Sequence, residues 1–446
     1  MPEVVRPRRW PARSWRALLA VPALVLATAG PAGSAPVEPQ VSAPSPVLPA
    51  AVAAGTPLRP ASVAAAIAGP LRDKRLGAHP SALVLDLATG ATLYATDPAR
   101  LATPASTTKL TTAAALLASY PADHRLRTRV VAGARPGEIV LVGGGDPTLS
   151  AAPRGKPSVY PGAARIADLA AAVVKSGVHP TRILVDTSLF AGPQLHPTWD
   201  PTDVNGGYIT PVSALMLDAG RRGDAVARST TPDLDAGRAL AAALRLPPAA
   251  VTRGTAPTGT SELAAVDSPP IGRLLEITLL DSDNVLAEVL ARQVAVRAGK
   301  PATFAGTVDA VRAVLGRLGL DPAGDRLMDG SGLSPKDKLS AALLAGLVRV
   351  AASDQHPELH PLFAGLPVGG YDGTLDKRYR AGPTVAGAGT VRAKTGTLTG
   401  VSTLAGVVQT AGGRLVAFAF LADAVPSPRD AEGALDVAVT ALSRVR

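Results

Sequence analysis

Pro104-Ala105-Ser106-Thr107-Thr108-Lys109-Leu110 decides how the rest of this chain is read, because it sets a serine hydroxyl and a lysine amine three residues apart at the mouth of a helix. From Ser106 to Ser119, Leu110, Ala113, Ala114, Leu116 and Leu117 supply an apolar face, and no Gly or Pro intervenes before Pro121. Ser106 and Lys109 therefore stack on one side of that helix. A serine hydroxyl is a poor nucleophile near neutral pH and needs a neighbouring base. A lysine serves if desolvation or a second cation keeps its amine neutral. The positive helix end and its free N–H groups at the same place can hold an oxyanion. Taken alone, the spacing reads first as a capping serine followed by a solvated lysine.

Working outward, Ser81 to Leu87 and Ala91 to Ala95 read as a hairpin feeding the Ser106 helix, preceded by a short helix near Ala61. Thr128 to Ala132 and Glu138 to Val142 form a second hairpin that ends in Gly143-Gly144-Gly145-Asp146. Up to about Leu263 the pattern is mixed: helix at Ala163 to Ser176, strand at Arg182 to Asp186, a Pro/Gly-rich loop through Asn205-Gly206-Gly207, and helix near Asp235 to Leu244. This stretch reads as an inserted domain. Helix Ile271 to Leu280 then runs into Asp281-Ser282-Asp283-Asn284, and helix continues through Arg297. Further helices are expected at Thr307 to Leu318 and Ser340 to Ala352. Strands follow at Gly389 to Ala393, Lys394 to Leu398, Thr403 to Gln409 and Leu415 to Leu421, with a terminal helix at Ala431 to Val445.

The N-terminal segment has the form of an export signal: arginines at 6, 8, 9, 13 and 16, a short apolar run from Ala17 to Ala29, and the small residues Ala27-Thr28-Ala29. The reading is a signal peptide over 1–29, cleaved or retained as an anchor, with general secretion as the route. A Pro/Ala-rich disordered linker is expected over 30–60. The formal charge of +10 falls to about +6 without the first 29 residues, which suits an anionic wall or simple solubility. No Lys/Arg cluster interleaved with aromatics follows, so no nucleic-acid partner is implied. With no cysteine, thiol catalysis, disulfides and thiolate metal sites are excluded.

Three elements line up in order: Ser106-x-x-Lys109, Ser282-Asp283-Asn284 and Lys394-Thr395-Gly396, on a helix, an interhelical loop and a strand. They match the S-x-x-K, S-D-N, K-T-G set of penicillin-binding proteins and serine β-lactamases. In this scheme Ser106 attacks a peptide carbonyl and Lys109 takes its proton. Lys394 adds positive charge that would help depress the Lys109 pKa and attract a substrate carboxylate. Ser282 relays a proton to the leaving amine, and Asn284 holds the substrate amide. The N–H groups of Ser106 and Thr397 are candidate oxyanion donors, and the hydroxyl of Thr395 or Thr397 a candidate carboxylate ligand. Asp283 reads as a residue that orients its loop.

More closely, the chain resembles the D-alanyl-D-alanine carboxypeptidase/endopeptidase family, the class C low-molecular-mass penicillin-binding proteins. The likeness rests on the three motifs, the 172 residues between Lys109 and Ser282, Gly143 to Leu149, Asp329-Gly330-Ser331-Gly332-Leu333-Ser334, Leu366-Pro367 with Gly370-Tyr371-Asp372-Gly373-Thr374-Leu375 and Arg378, and Lys394 to Leu398. It implies an α/β (α+β) fold: an antiparallel five-stranded sheet flanked by helices, from 61–124 and 263–446, with a mixed insertion at 125–262. It also implies an exported serine peptidase of the cell envelope that cleaves D-alanyl-D-alanine bonds of peptidoglycan stem peptides, is acylated by β-lactams, and needs no cofactor or metal. A membrane partner enters only if the N-terminal segment is uncleaved.

Two other readings stand beside it: a serine β-lactamase, and a retired wall-binding module. The first needs a base for deacylation, in class A enzymes a glutamate, and none lies between Glu288 and Glu358. The intact motifs speak against the second. His356-Pro357-Glu358-Leu359-His360 has zinc-like spacing, but Pro357 breaks the helix and the Glu is misplaced. The run 387–395 resembles a P-loop, yet Ala393 stands where a glycine must precede the Lys-Thr, and a strand follows.

Overall fold

The computed structural model describes residues 54–446. The expected signal peptide and the linker as far as residue 53 lie outside the described residues. In chain order the helices are α1 (Pro60–Ile67), α2 (Lys109–Leu117), α3 (Ile166–Lys175), α4 (Pro232–Ala243), α5 (Ile271–Leu280), α6 (Asn284–Arg297), α7 (Phe304–Arg317), α8 (Ala341–Ala351) and α9 (Pro428–Ser443). The strands are β1 (Ser81–Asp86), β2 (Thr92–Thr96), β3 (Leu101–Ala102), β4 (Arg127–Ala132), β5 (Glu138–Val142), β6 (Arg182–Asp186), β7 (Val251–Arg253), β8 (Glu262–Asp267), β9 (Leu339–Ser340), β10 (Val391–Leu398), β11 (Val401–Gln409) and β12 (Leu415–Ala422).

Alternation along β1 explains the first sheet. Ala82 and Val84 face one side and Leu83 and Leu85 the other, so both faces need cover. The sheet runs β10-β11-β12-β1-β2 and every pair in it is antiparallel. Its ends in the chain meet at its centre, where Ser81 pairs with Leu421 and Asp86 with Val416. Helices α1 and α9 cover one face through Val63, Ile67, Leu435 and Val439, while α8 and α2 lie on the other. Helix α2 is buried along its entire length among α5, α6, α7 and α8.

A second five-stranded sheet, β7-β6-β5-β4-β8, is mixed: β4 pairs antiparallel with β5 and β8, whereas β5-β6 and β6-β7 are parallel. Helices α3 and α4 form the crossovers and pack Leu169, Val173 and Leu240 on Val130, Ile139, Leu141 and Ile183.

Several expected boundaries move. Ordered packing begins before residue 60: Thr56 N donates to the Gly412 carbonyl at 3.0 Å and Leu58 is buried. Strand β8 runs to Asp267 and so crosses the expected boundary at 262. The helix expected from Ser106 opens as a 3-10 turn, Ala105–Thr108, and becomes α-helical only at Lys109. Ala105 has φ 48°, and a tight turn lets the chain enter from that left-handed residue. The two short strands expected over 389–398 are one, because a buried Lys394 interrupts the apolar pattern without interrupting the ladder.

Candidate active site

Ser106 sits in the 3-10 turn ahead of α2, half-buried at the end of the first sheet. One turn on, Lys109 is fully buried, and its Nζ lies 2.9 Å from Ser106 Oγ, 2.6 Å from Asn284 Oδ1 and 2.8 Å from the Ser331 carbonyl. Burial lowers the Lys109 amine from its ordinary 10.5 to about 8, against the opposing pull of Asp329, Glu288 and Asp283. A neutral amine has two N–H donors and one lone pair. With Asn284 and Ser331 as acceptors, the lone pair is left facing the serine hydroxyl.

Strand β10 closes the other side. A side chain at Gly396 would stand 2.6 Å from the Pro104 carbonyl and 3.1 Å from Ser106 N, so only glycine lets the strand come this near the serine. Lys394, also fully buried, donates to Ser282 Oγ at 3.0 Å and to the Thr395 carbonyl at 2.9 Å. Burial, reinforced by the charge of Lys109, pushes its amine well down. For Lys109 the main cause of the shift is burial.

Ser282 and Asn284 are fixed by the junction of α5 and α6. Ser282 takes a left-handed φ of 55°, a conformation unusual for a residue with a side chain. Asp283 caps α6, accepting from the N–H groups of Val285 at 2.9 Å and Leu286 at 3.2 Å. Its other oxygen accepts from Tyr160 Oη at 2.8 Å and Arg221 Nη2 at 3.1 Å, with Arg228 Nη2 at 3.6 Å. Although burial opposes ionisation, Arg228 and Arg221 hold this carboxyl well below the usual carboxylate range. Asn284 Nδ2 donates to the Tyr208 carbonyl at 3.1 Å.

Behind Lys109 lies the loop 329–334. Asp329 accepts from the N–H groups of Ser331, Gly332 and Ser334 and from Trp199 Nε1, which fixes the Ser331 carbonyl beneath the lysine. Glu288 Oε1 accepts from Gly330 N at 3.0 Å, and burial, with Asp329 close by, pushes its carboxyl up to about 8. The left-handed φ of Gly332, 79°, completes the turn.

The sequence-selected residues Ser106, Lys109, Ser282, Asn284 and Lys394 thus form one connected cluster. Thr395 and Thr397 belong to the adjoining stretch of β10 but are engaged: Thr395 Oγ1 donates to Thr374 Oγ1 and Thr397 Oγ1 to Glu432 Oε1, both at 2.8 Å. Sequence reasoning missed the Ser331 and Tyr208 carbonyls, which no residue letter announces. It also missed Tyr160, Arg221, Arg228 and Trp199, which come from the stretch between the first two motifs. Away from the site, His356 shares a hydrogen bond with Glu358 and His360 with the Ser353 carbonyl. No group of three or more potential metal ligands occurs among the described residues, and no helix there is long and apolar enough to cross a membrane.

The family model of the D-Ala-D-Ala carboxypeptidase 3 (S13) family matches residues 63–227 and 222–442. The chain is 48% identical over 339 residues to a carboxypeptidase of Mycobacterium tuberculosis, covering 74% of each chain. It is 44% identical over 379 residues to the carboxypeptidase DacB of Mycolicibacterium smegmatis, covering 83% of this chain and 82% of that one. Among solved structures, penicillin binding protein 4 from Haemophilus influenzae shares the fold with a TM-score of 0.68 at 20% identity, over 87% of this chain and 100% of that one.

Proposed function

The chain belongs to the D-Ala-D-Ala carboxypeptidase S13 family of serine peptidases, and on that premise we propose how its residues divide the reaction. Ser106 Oγ attacks the carbonyl between the two terminal D-alanines of a peptidoglycan stem peptide, while its proton passes to Lys109 Nζ. The N–H groups of Ser106 and Thr397 stabilise the oxyanion. Collapse breaks the C–N bond, and the Ser282 hydroxyl, held by Lys394, gives its proton to the leaving amine and takes up the one carried by Lys109, which leaves Lys109 neutral again. Water then attacks the acyl-enzyme, Lys109 again serving as base, and the proton returns to Ser106.

Asn284 orients the substrate amide, and the Thr395 and Thr397 hydroxyls exchange their present partners for the substrate carboxylate. A β-lactam enters the same path and stops at the acyl-enzyme; a relative of the same fold, the Haemophilus influenzae protein, is known in complex with a β-lactam. The work lies outside the cytoplasm, where peptidoglycan is found, with the segment 1–29 as export signal and the residues between the first two motifs as an insertion.

One observation carries this reading: a desolvated lysine amine 2.9 Å from a serine hydroxyl, with both its N–H donors otherwise occupied. Fluorescent penicillin should label the protein, with the added mass on the peptide containing Ser106, and Ser106→Ala should not label. Purified protein should release D-alanine from a stem pentapeptide. The reading fails if Ser106→Ala labels as the parent does. The β-lactamase alternative would show instead as rapid nitrocefin turnover. The glutamate behind Lys109, Glu288, is buried and bonded to Gly330 N, which leaves it poorly placed to activate water.

A further inference from the structure

Arg127 and Arg129 alternate along the start of β4, so their side chains share one face of that strand, and Arg125 lies two residues ahead of it. All three are exposed, and they line a cleft of about 780 Å³ together with Arg297, the last residue of α6. This volume lies in the range of sites that take drug-sized or oligomeric fragments.

The charge in the cleft is only partly balanced. Arg127 pairs with Glu262 at 2.7 Å and Asp267 at 3.3 Å. Arg125 donates to the Ser268 carbonyl, and Arg297 lies 5.6 Å from the centre of the Tyr120 ring, so neither has a carboxylate partner there. Arg129 has no ion pair or hydrogen bond to any described side chain. Asp186, the carboxylate in the lining, already accepts from the N–H groups of Ser188 and Ala256. Arg125, Arg129 and Arg297 thus line one cleft without a carboxylate partner, and guanidinium groups bind carboxylates and phosphates in paired hydrogen bonds.

We propose that this cleft is a second, non-catalytic site that binds anionic groups of the wall polymer, carboxylates of stem peptides or phosphodiesters attached to the wall, while another part of the same polymer occupies the Ser106 site. Helix α6 carries both: Asn284 begins it and Arg297 ends it, 14 residues in all and so about 20 Å apart along the axis. An extended peptide of about six residues spans that distance. Holding the polymer at one point raises its effective concentration at the other, so the gain appears with polymeric substrate and not with a short peptide. This inference rests on the peptidase reading above for the identity of the polymer.

The test compares the full chain with the Arg129→Glu/Arg297→Glu variant, neither residue being part of the reaction site. The probes are purified sacculi stripped of phosphate polymers, the same sacculi unstripped, and soluble polyglycerol phosphate. Both proteins should acylate with fluorescent penicillin at the same rate and melt at the same temperature. The variant should sediment with sacculi at least tenfold less well at low salt and show a raised KM on sacculi with unchanged kcat/KM on a stem pentapeptide. Arg129→Lys/Arg297→Lys should retain most of the binding. Loss confined to unstripped sacculi, with competition by polyglycerol phosphate, assigns the site to phosphodiesters; loss on stripped sacculi assigns it to carboxylates. Equal binding of parent and charge-reversed variant to both kinds of sacculi overturns the proposal. Failure of the parent to label at Ser106 overturns the peptidase reading instead.

Discussion

At the scale of single residues, the proposed chemistry turns on an amine that must be neutral to act. With the Lys109 amine at about 8, the acylation rate should fall about tenfold per pH unit below that value and level off above it, followed as fluorescent-penicillin labelling from pH 6 to 10. A profile flat across this range would rule out Lys109 as the base. Lys109→Arg, which stays charged, should lose about 10² to 10⁴ in rate. The same shift bears on stability. Between about 8 and 10.5 the unfolded chain binds this proton and the folded one does not, so this group adds stability as pH rises through that window. Asp283 acts in the same direction in the acid range. Its carboxyl is held low, so its contribution is complete above the ordinary value of 3.8 and is lost as the medium is acidified below it. Asp283→Ala removes a helix cap and strands a buried Arg228, and should cost about 3 to 5 kcal/mol in thermal or urea unfolding at neutral pH. The residue types at this site were legible because acyl transfer restricts the choice of nucleophile and base; their partners were not, since half are backbone carbonyls.

At the scale of elements, the site depends on how near β10 can approach the turn that carries Ser106. Gly396→Ala should leave the protein folded but lower acylation about 10²-fold, because a methyl group there meets backbone at Pro104 and Ser106 and displaces the strand. Acylation within threefold of the parent would show that the strand can yield without consequence. Strand β6 was readable to the residue, Arg182–Asp186, because its apolar alternation is bounded by turn-forming neighbours. The start of the Ser106 helix was not. Helical periodicity cannot register that Ala105 is left-handed and that the first turn is wound more tightly. Nor could alternation show that β10 is continuous, since two of its buried positions, Lys394 and Thr395, are polar. In both places the sequence departs from the generic pattern of its element where the chemistry is concentrated.

At the scale of the whole molecule, distant parts of the chain meet on Asp283. Tyr160 and Arg221 reach it from the stretch between the first two motifs, so that stretch braces the motif that presents Asn284. Arg221→Ala should lower stability by about 1.5 to 3 kcal/mol and acylation by a few-fold, whereas Arg221→Lys restores part of both, read by urea unfolding and penicillin labelling. Such bracing had no sequence signal, because residues 62 and 123 positions apart along the chain share no local pattern. What was legible at this scale was the order of the motifs and the presence of a central antiparallel sheet. The pairing of β1 with β12 carries a further consequence for biogenesis. As the polypeptide emerges from the ribosome, the strand at 81–86 waits for a mate at 415–422, and more than three hundred residues must appear before it arrives. Its apolar edge is exposed to wrong partners in that interval, so folding should be slow and holdase chaperones should raise the yield.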